Sequence, residues 1–183
     1  MEIKNSAIID KAAGIILDTG LETLTIQNLA LKLNVQENHL HNQISKDEDI
    51  ILTLLRTFEV DLNELIKEIK TQKSNPESEL KSLFKGLHSL FLQKPYYLSL
   101  VFDKSLINKE EDVKKSVLHI KHIAEDYLTN VINNGKKDNT FKTKRTTKSL
   151  VKKILSGFGL IMKDEQRMNE MIPELKKLKI LND

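Results

Sequence analysis

Ile51, Leu55, Phe58, Leu62, Leu65 and Ile69 recur at alternating spacings of four and three. That period puts all six on one stripe of an α-helix of about seven turns. A strand, whose side chains alternate every two residues, would scatter them over both faces. The same period returns in Ile8, Ala12, Ile15 and Ile16, in Leu80, Leu83, Phe84, Leu87 and Phe91, in Val113, Val117, Ile120, Ala124, Tyr127 and Val131, and in Leu150, Ile154, Leu155, Phe158, Ile161 and Met162. With six Gly and three Pro in 183 residues there is little to interrupt it, so the fold predicted is all-α. Gly20 stops a first helix over residues 6–19. Asn75-Pro76-Glu77 supplies a cap, a first-position proline and an early acid for another. Pro95 opens a helix running to about residue 107. Asn108 and the acids after it open one that ends at Asn133-Asn134-Gly135. A last helix carries Met168, Met171, Ile172, Leu175 and Leu178 and is kinked or restarted at Pro173. Gly157 and Gly159, each costing about 1 kcal/mol in a helix interior, imply close packing of backbones there.

The first fifty residues divide more finely. Thr25 precedes Ile26, Leu29, Ala30 and Leu33, so its hydroxyl can cap a second short helix. Asn34 tolerates the left-handed conformation that a tight turn requires, and a third short helix is expected over residues 36–44. Three helices of this size bury too little surface to be stable alone and must lean on the long helix that starts near Lys46. The pattern over residues 8–50 is that of a helix-turn-helix. It implies a reading domain over residues 1–46, joined by the long helix to a helical domain over residues 47–183. The segment that would enter a DNA groove, Gln36-Glu37-Asn38-His39-Leu40-His41-Asn42-Gln43, contains neither Lys nor Arg. Residues 1–50 carry a net charge of −4 and residues 51–183 one of +7, so the positive charge lies away from the reading segment.

Other function classes find little support. The chain has no Cys, which removes disulfide and thiolate chemistry and is compatible with a reducing cytosol. No apolar run approaches the roughly 18 residues of a membrane span, so a cytoplasmic protein without membrane attachment is expected. No glycine-rich phosphate loop, nucleophile elbow or paired-carboxylate signature is present, and neither an enzyme nor a cofactor is expected. His119, His122 and Asp126 fall on one helical face and could present ligands to a metal. Spacing of that kind is common by chance, and solvent-edge polar residues are the plainer reading. The basic stretch Lys142-Thr143-Lys144-Arg145-Thr146-Thr147-Lys148 reads first as a solvated loop and helix start, second as a surface for an acidic partner or nucleic acid. Phe58, Phe84, Phe91, Tyr96, Tyr97, Phe102 and Tyr127 are core residues in the first instance. If a cavity exists they line it, with His88 and the tyrosine hydroxyls fixing the orientation of a ligand.

On particular residues the chain resembles the TetR family of bacterial transcription regulators. Gly20-Leu21-Glu22-Thr23-Leu24-Thr25-Ile26 is similar to that family's entry to its second helix, Leu29-Ala30 to the pair that packs the motif, and Val35 to the valine of the turn. Leu40, Ile44 and Ile50 fall where the family places apolar residues. The likeness covers residues 8–50, and beyond them rests on helix number and order. The departures lie on the DNA side. Asn34 stands for the turn glycine, Gln36 for a serine, His41 for a phosphate-contacting tyrosine, Gln43 for a histidine, Ile44 for a phenylalanine and Asp47 for a lysine that meets the DNA backbone.

The resemblance implies double-stranded DNA as a partner, contacted through Thr25, Gln36, Asn38, His39, His41, Asn42, Gln43 and Lys46. It also implies a small-molecule effector held among Phe58, Phe84, His88, Phe91, Tyr96, Tyr97, Phe102 and Tyr127, and a homodimer formed through the last two helices. Asn and Gln can bond both ring-edge groups of adenine, so base reading could persist where phosphate attraction is weak. The alternative is a ligand- or protein-binding module of the same architecture that has lost tight DNA binding.

Overall fold

A computed structural model describes residues 3–161 of the chain. The expected helix from Met168 to Leu178, the break at Pro173, the side chain of Phe158 and those beyond it, and pairing through the last two helices lie outside the described residues. Among the described residues every regular element is helical: α1 (Asn5–Thr19), α2 (Ile26–Leu33), α3 (Glu37–Leu40), α4 (Asp47–Thr71), α5 (Pro76–Gln93), α6 (Tyr96–Phe102), α7 (Glu111–Lys137) and α8 (Thr147–Ile161). Short 3-10 turns lie at Leu21–Thr23 and Lys104–Asn108. None of these helices is long and apolar enough to cross a membrane.

The described residues fall into two compact units. One comprises those up to Val60 with Lys94–His119, the other Asp61–Gln93 with those from Ile120 on. The first contains the three short helices, the first part of α4, α6 and the start of α7. Ile8, Ala12 and Ile16 of α1 are buried, as are Leu29 and Ala30 of α2 and Ile50, Ile51 and Leu54 of α4, and α1 also packs on α6. Inside this unit the start of α4 is tied to α2, the Asp47 carboxylate accepting from the Ile26 amide. Gly20 ends α1 at φ 100° and ψ 164°, a region essentially closed to residues with a Cβ.

In the second unit α5 opens as its sequence suggests, with the Asn75 carboxamide accepting from the Ser78 amide at 2.9 Å and Pro76 in first position. Leu65, expected on the buried stripe of α4, is only half-buried, and Ile66 is buried in its place. The Leu65 side chain fills the space that Gly86 leaves free; a Cβ there would lie 2.3 Å from its Cδ1.

Beyond α5, three helix ends differ from the sequence expectation. The helix after Pro95 stops at Phe102 because Asp103 is extended and its carboxylate accepts from the Ser105 amide at 2.8 Å, which starts a 3-10 turn. Asn108 belongs to that turn, and α7 begins at Glu111 with the Lys114 amide donating to the Glu110 carbonyl. At its other end α7 runs through Gly135 to Lys137. Gly135 does not stop the helix but admits the Phe141 ring, whose Cδ2 would lie 2.1 Å from a Cβ at that position. The left-handed residue is instead Asn139, at φ 62°.

Candidate nucleic-acid interface

The reading head is organised around the start of α2. Thr25 is extended, and its hydroxyl accepts from the Asn28 amide at 3.1 Å, as a capping residue should. A second acceptor comes from 21 positions away: the Asp47 carboxylate takes the Ile26 amide at 2.7 Å. Asn34 closes α2 in the left-handed conformation, φ 56° and ψ 46°, and the Val35 amide returns to the Ala30 carbonyl at 3.1 Å. The chain then enters α3.

That helix is shorter than residues 36–44. It holds one turn, Glu37–Leu40, followed by turn bonds from the Gln43 and Ile44 amides to the Leu40 carbonyl, each at 2.8 Å. Leu40 and Ile44 point inward and are buried, while Gln36, Asn38, His39, His41 and Asn42 are exposed. Five polar side chains that sequence alone singles out thus stand on the solvent side of a segment fixed by two apolar anchors.

Gln43 is differently placed. Its Oε1 accepts from the Ile3 amide at 3.0 Å and its Nε2 donates to the Ile3 carbonyl at 2.9 Å, so both ends of the amide are engaged with backbone 40 residues away. Lys46 is exposed and paired with Glu110, whose hydrogen bond holds the ammonium pKa above its ordinary value. Asp49, next to it, caps α4 by accepting from the Ser45 amide at 2.9 Å and the Lys46 amide at 3.2 Å.

Together these contacts revise the electrostatics expected of the head. Amides at helix starts are ready-made sites for a phosphate. Here those of Ile26, Ser45 and Lys46 are already occupied by Asp47 and Asp49. Of the four lysines before residue 50, Lys32 pairs with Asp18 at 2.9 Å and Lys46 with Glu110, whereas Lys4 and Lys11 make no ion pair among the described residues. Glu110 and the Ile3 contact gave no local sequence signal, because each partner lies forty or more residues from the group it meets.

The aromatic set divides between the units. In the first, Tyr97 is fully buried, with Phe58 at 4.8 Å and Tyr96 at 4.6 Å between ring centroids, both edge-on, and Phe102 is half-buried on the same helix as the tyrosines. In the second, Phe84 and Phe91 are buried on α5 and His88 half-buried between them, and the Tyr127 hydroxyl lies 3.3 Å from Glu79 Oε2. Burial, and then the charge of Glu79, push the Tyr127 pKa well above the ordinary tyrosine range. His119 pairs with Glu59 and His122 with Asp126, each at 3.3 Å, and no three candidate ligands gather around a metal-sized site among the described residues. The basic stretch is pinned at its base: Lys136 donates to the Arg145 carbonyl, Thr147 bonds Asn133 at 2.6 Å, and the Thr146 hydroxyl caps α8 through the Ser149 amide.

No protein-family profile matches the chain, and no curated protein matches it by sequence. Solved structures do match. The TetR family transcriptional regulator PfmR of Thermus thermophilus is similar with a TM-score of 0.77 at 14% identity, over 93% of this chain and 96% of that one. AibR, solved with isovaleryl coenzyme A and operator DNA, gives 0.77 at 15% identity over 92% and 95%. The regulator FadR of Bacillus subtilis, solved with stearoyl-CoA, gives 0.70 at 15% identity over 96% and 95%. Helix order, the capped turn at Asn34 and these likenesses agree: the chain has the fold of the TetR family of transcriptional regulators.

Proposed function

We propose that the chain is a ligand-responsive transcriptional regulator, acting as a cytoplasmic homodimer that reads operator DNA through residues 36–42 and is released by a small molecule. The observation that carries this reading is the row of exposed amides and imidazoles at Gln36, Asn38, His39, His41 and Asn42, set on a helix-turn-helix with a complete core. Side chains of these kinds bond base edges in the major groove. In a dimer they would meet half-sites about 34–36 Å apart. α4 is one uninterrupted helix from Asp47 to Thr71, so a ligand that alters its tilt moves the head. An acyl coenzyme A, the class of molecule found with AibR and with FadR, is the first effector to try. Repression is the simplest mode, because effector binding then frees the promoter.

Selection of duplexes from a random pool by the purified protein tests this reading. A preferred sequence should emerge, and Asn42→Ala should relax the preference at one or two positions, each contact being worth about 1–3 kcal/mol of discrimination. Failure to enrich any sequence, even at low salt, would refute it. A second reading, a binding module that has lost tight DNA affinity, is favoured by the ion pairing of Lys32 and Lys46, both within residues 1–50, whose net charge is −4. Glu110→Gln separates the two. In a DNA-binding protein it frees Lys46 for a phosphate, so affinity at low salt should rise and the salt slope should steepen by about one. In a module without DNA affinity neither quantity changes.

A further inference from the structure

Gln43 makes the least expected contact in the head. A side-chain amide that donates and accepts at once, to the amide and carbonyl of one residue, pairs with backbone much as a neighbouring strand would. It fixes Ile3 against the end of the reading segment, just before α1 begins at Asn5. Lys4 follows directly, its Cα about 3.8 Å from that of Ile3. It is exposed and makes no ion pair among the described residues, unlike Lys32 and Lys46.

We infer that Gln43 is a positioning residue and Lys4 a phosphate-contacting one: the amide clamps the chain ahead of α1 so that the Lys4 ammonium meets the DNA backbone beside the reading segment. This rests on the DNA-binding reading above and adds to it the source of a phosphate contact that residues 36–43 do not supply. It also removes Gln43 from the base-reading set. The geometry explains why an amide serves here. Alanine supplies neither bond, and a carboxylate could not donate to the Ile3 carbonyl.

The test uses the full chain and a duplex recovered from the random pool, titrated by fluorescence anisotropy at several salt concentrations. Lys4→Gln is expected to reduce the salt slope by about one without altering base preference. Gln43→Ala should do the same, and the double variant should show no further reduction, because both changes remove one contact. Amide hydrogen exchange at Ile3, measured without DNA, should accelerate in Gln43→Ala and stay unchanged in Lys4→Gln. An unchanged slope in Lys4→Gln overturns the inference while leaving the DNA-binding reading intact. So does a relaxed base preference in Gln43→Ala, which would make Gln43 a reader. A protein that binds no duplex overturns both.

Discussion

Tyr97→Ala is expected to lower the free energy of unfolding by about 3–5 kcal/mol, the usual range for deleting a large buried aromatic side chain. Tyr97 has no exposed surface, and Phe58 and Tyr96 meet it edge-on. The Lys94 ammonium lies 5.4 Å from the ring centroid and 3.3 Å from the hydroxyl. Truncation leaves a cavity and deprives two aromatic neighbours of a partner. Tyr97→Phe keeps the rings and removes the hydroxyl with its bond from Lys94, so it should cost about 1 kcal/mol. Chemical denaturation of the two variants distinguishes these contributions. A loss below about 1 kcal/mol in the alanine variant would mean that the site collapses freely and that Tyr97 does not organise the first unit.

Leu40→Ala should cost about 2–5 kcal/mol and, on the regulator reading proposed above, remove DNA binding with it. α3 is a single turn, too short to persist by its own hydrogen bonds. What holds it is Leu40, with no exposed surface, and Ile44 beyond it. Without Leu40 the exposed row from Gln36 to Asn42 loses its fixed orientation. Asn42→Ala provides the contrast: Asn42 is exposed, so stability should stay within about 0.5 kcal/mol of the parent while base preference changes. Equal loss of stability in both variants would contradict the inward placement of Leu40 and the outward placement of Asn42.

The sequence revealed those features whose causes are local. Thr25 caps the helix that follows it, Asn34 takes the left-handed turn, and Pro76 starts α5, because each effect depends on a few neighbouring residues. The hidden features depend on distance along the chain. Asp47 looked like a charge set against DNA, yet its carboxylate caps α2. Gln43 looked like a base reader, yet its amide is engaged at Ile3. Gly135 resembled a helix stop and instead makes room for Phe141, a tertiary reason that periodicity does not carry. The candidate aromatic residues other than half-buried Phe102 were legible as buried, since hydrophobicity alone predicts that. Which of them share a unit was not.

Asp47 and Asp49 bear on how this protein can change over generations. Each is an acid where DNA affinity would favour a base, and each also holds a helix start together. A mutation of Asp47 to lysine gains charge and forfeits a cap worth about 0.5–2 kcal/mol in the same step. On the regulator reading proposed above, descendants that gain DNA affinity by that route keep Thr25 alone to hold the start of α2. Changes at Glu110 or on the exposed face of α3 carry no such debt, and adaptation should reach them first.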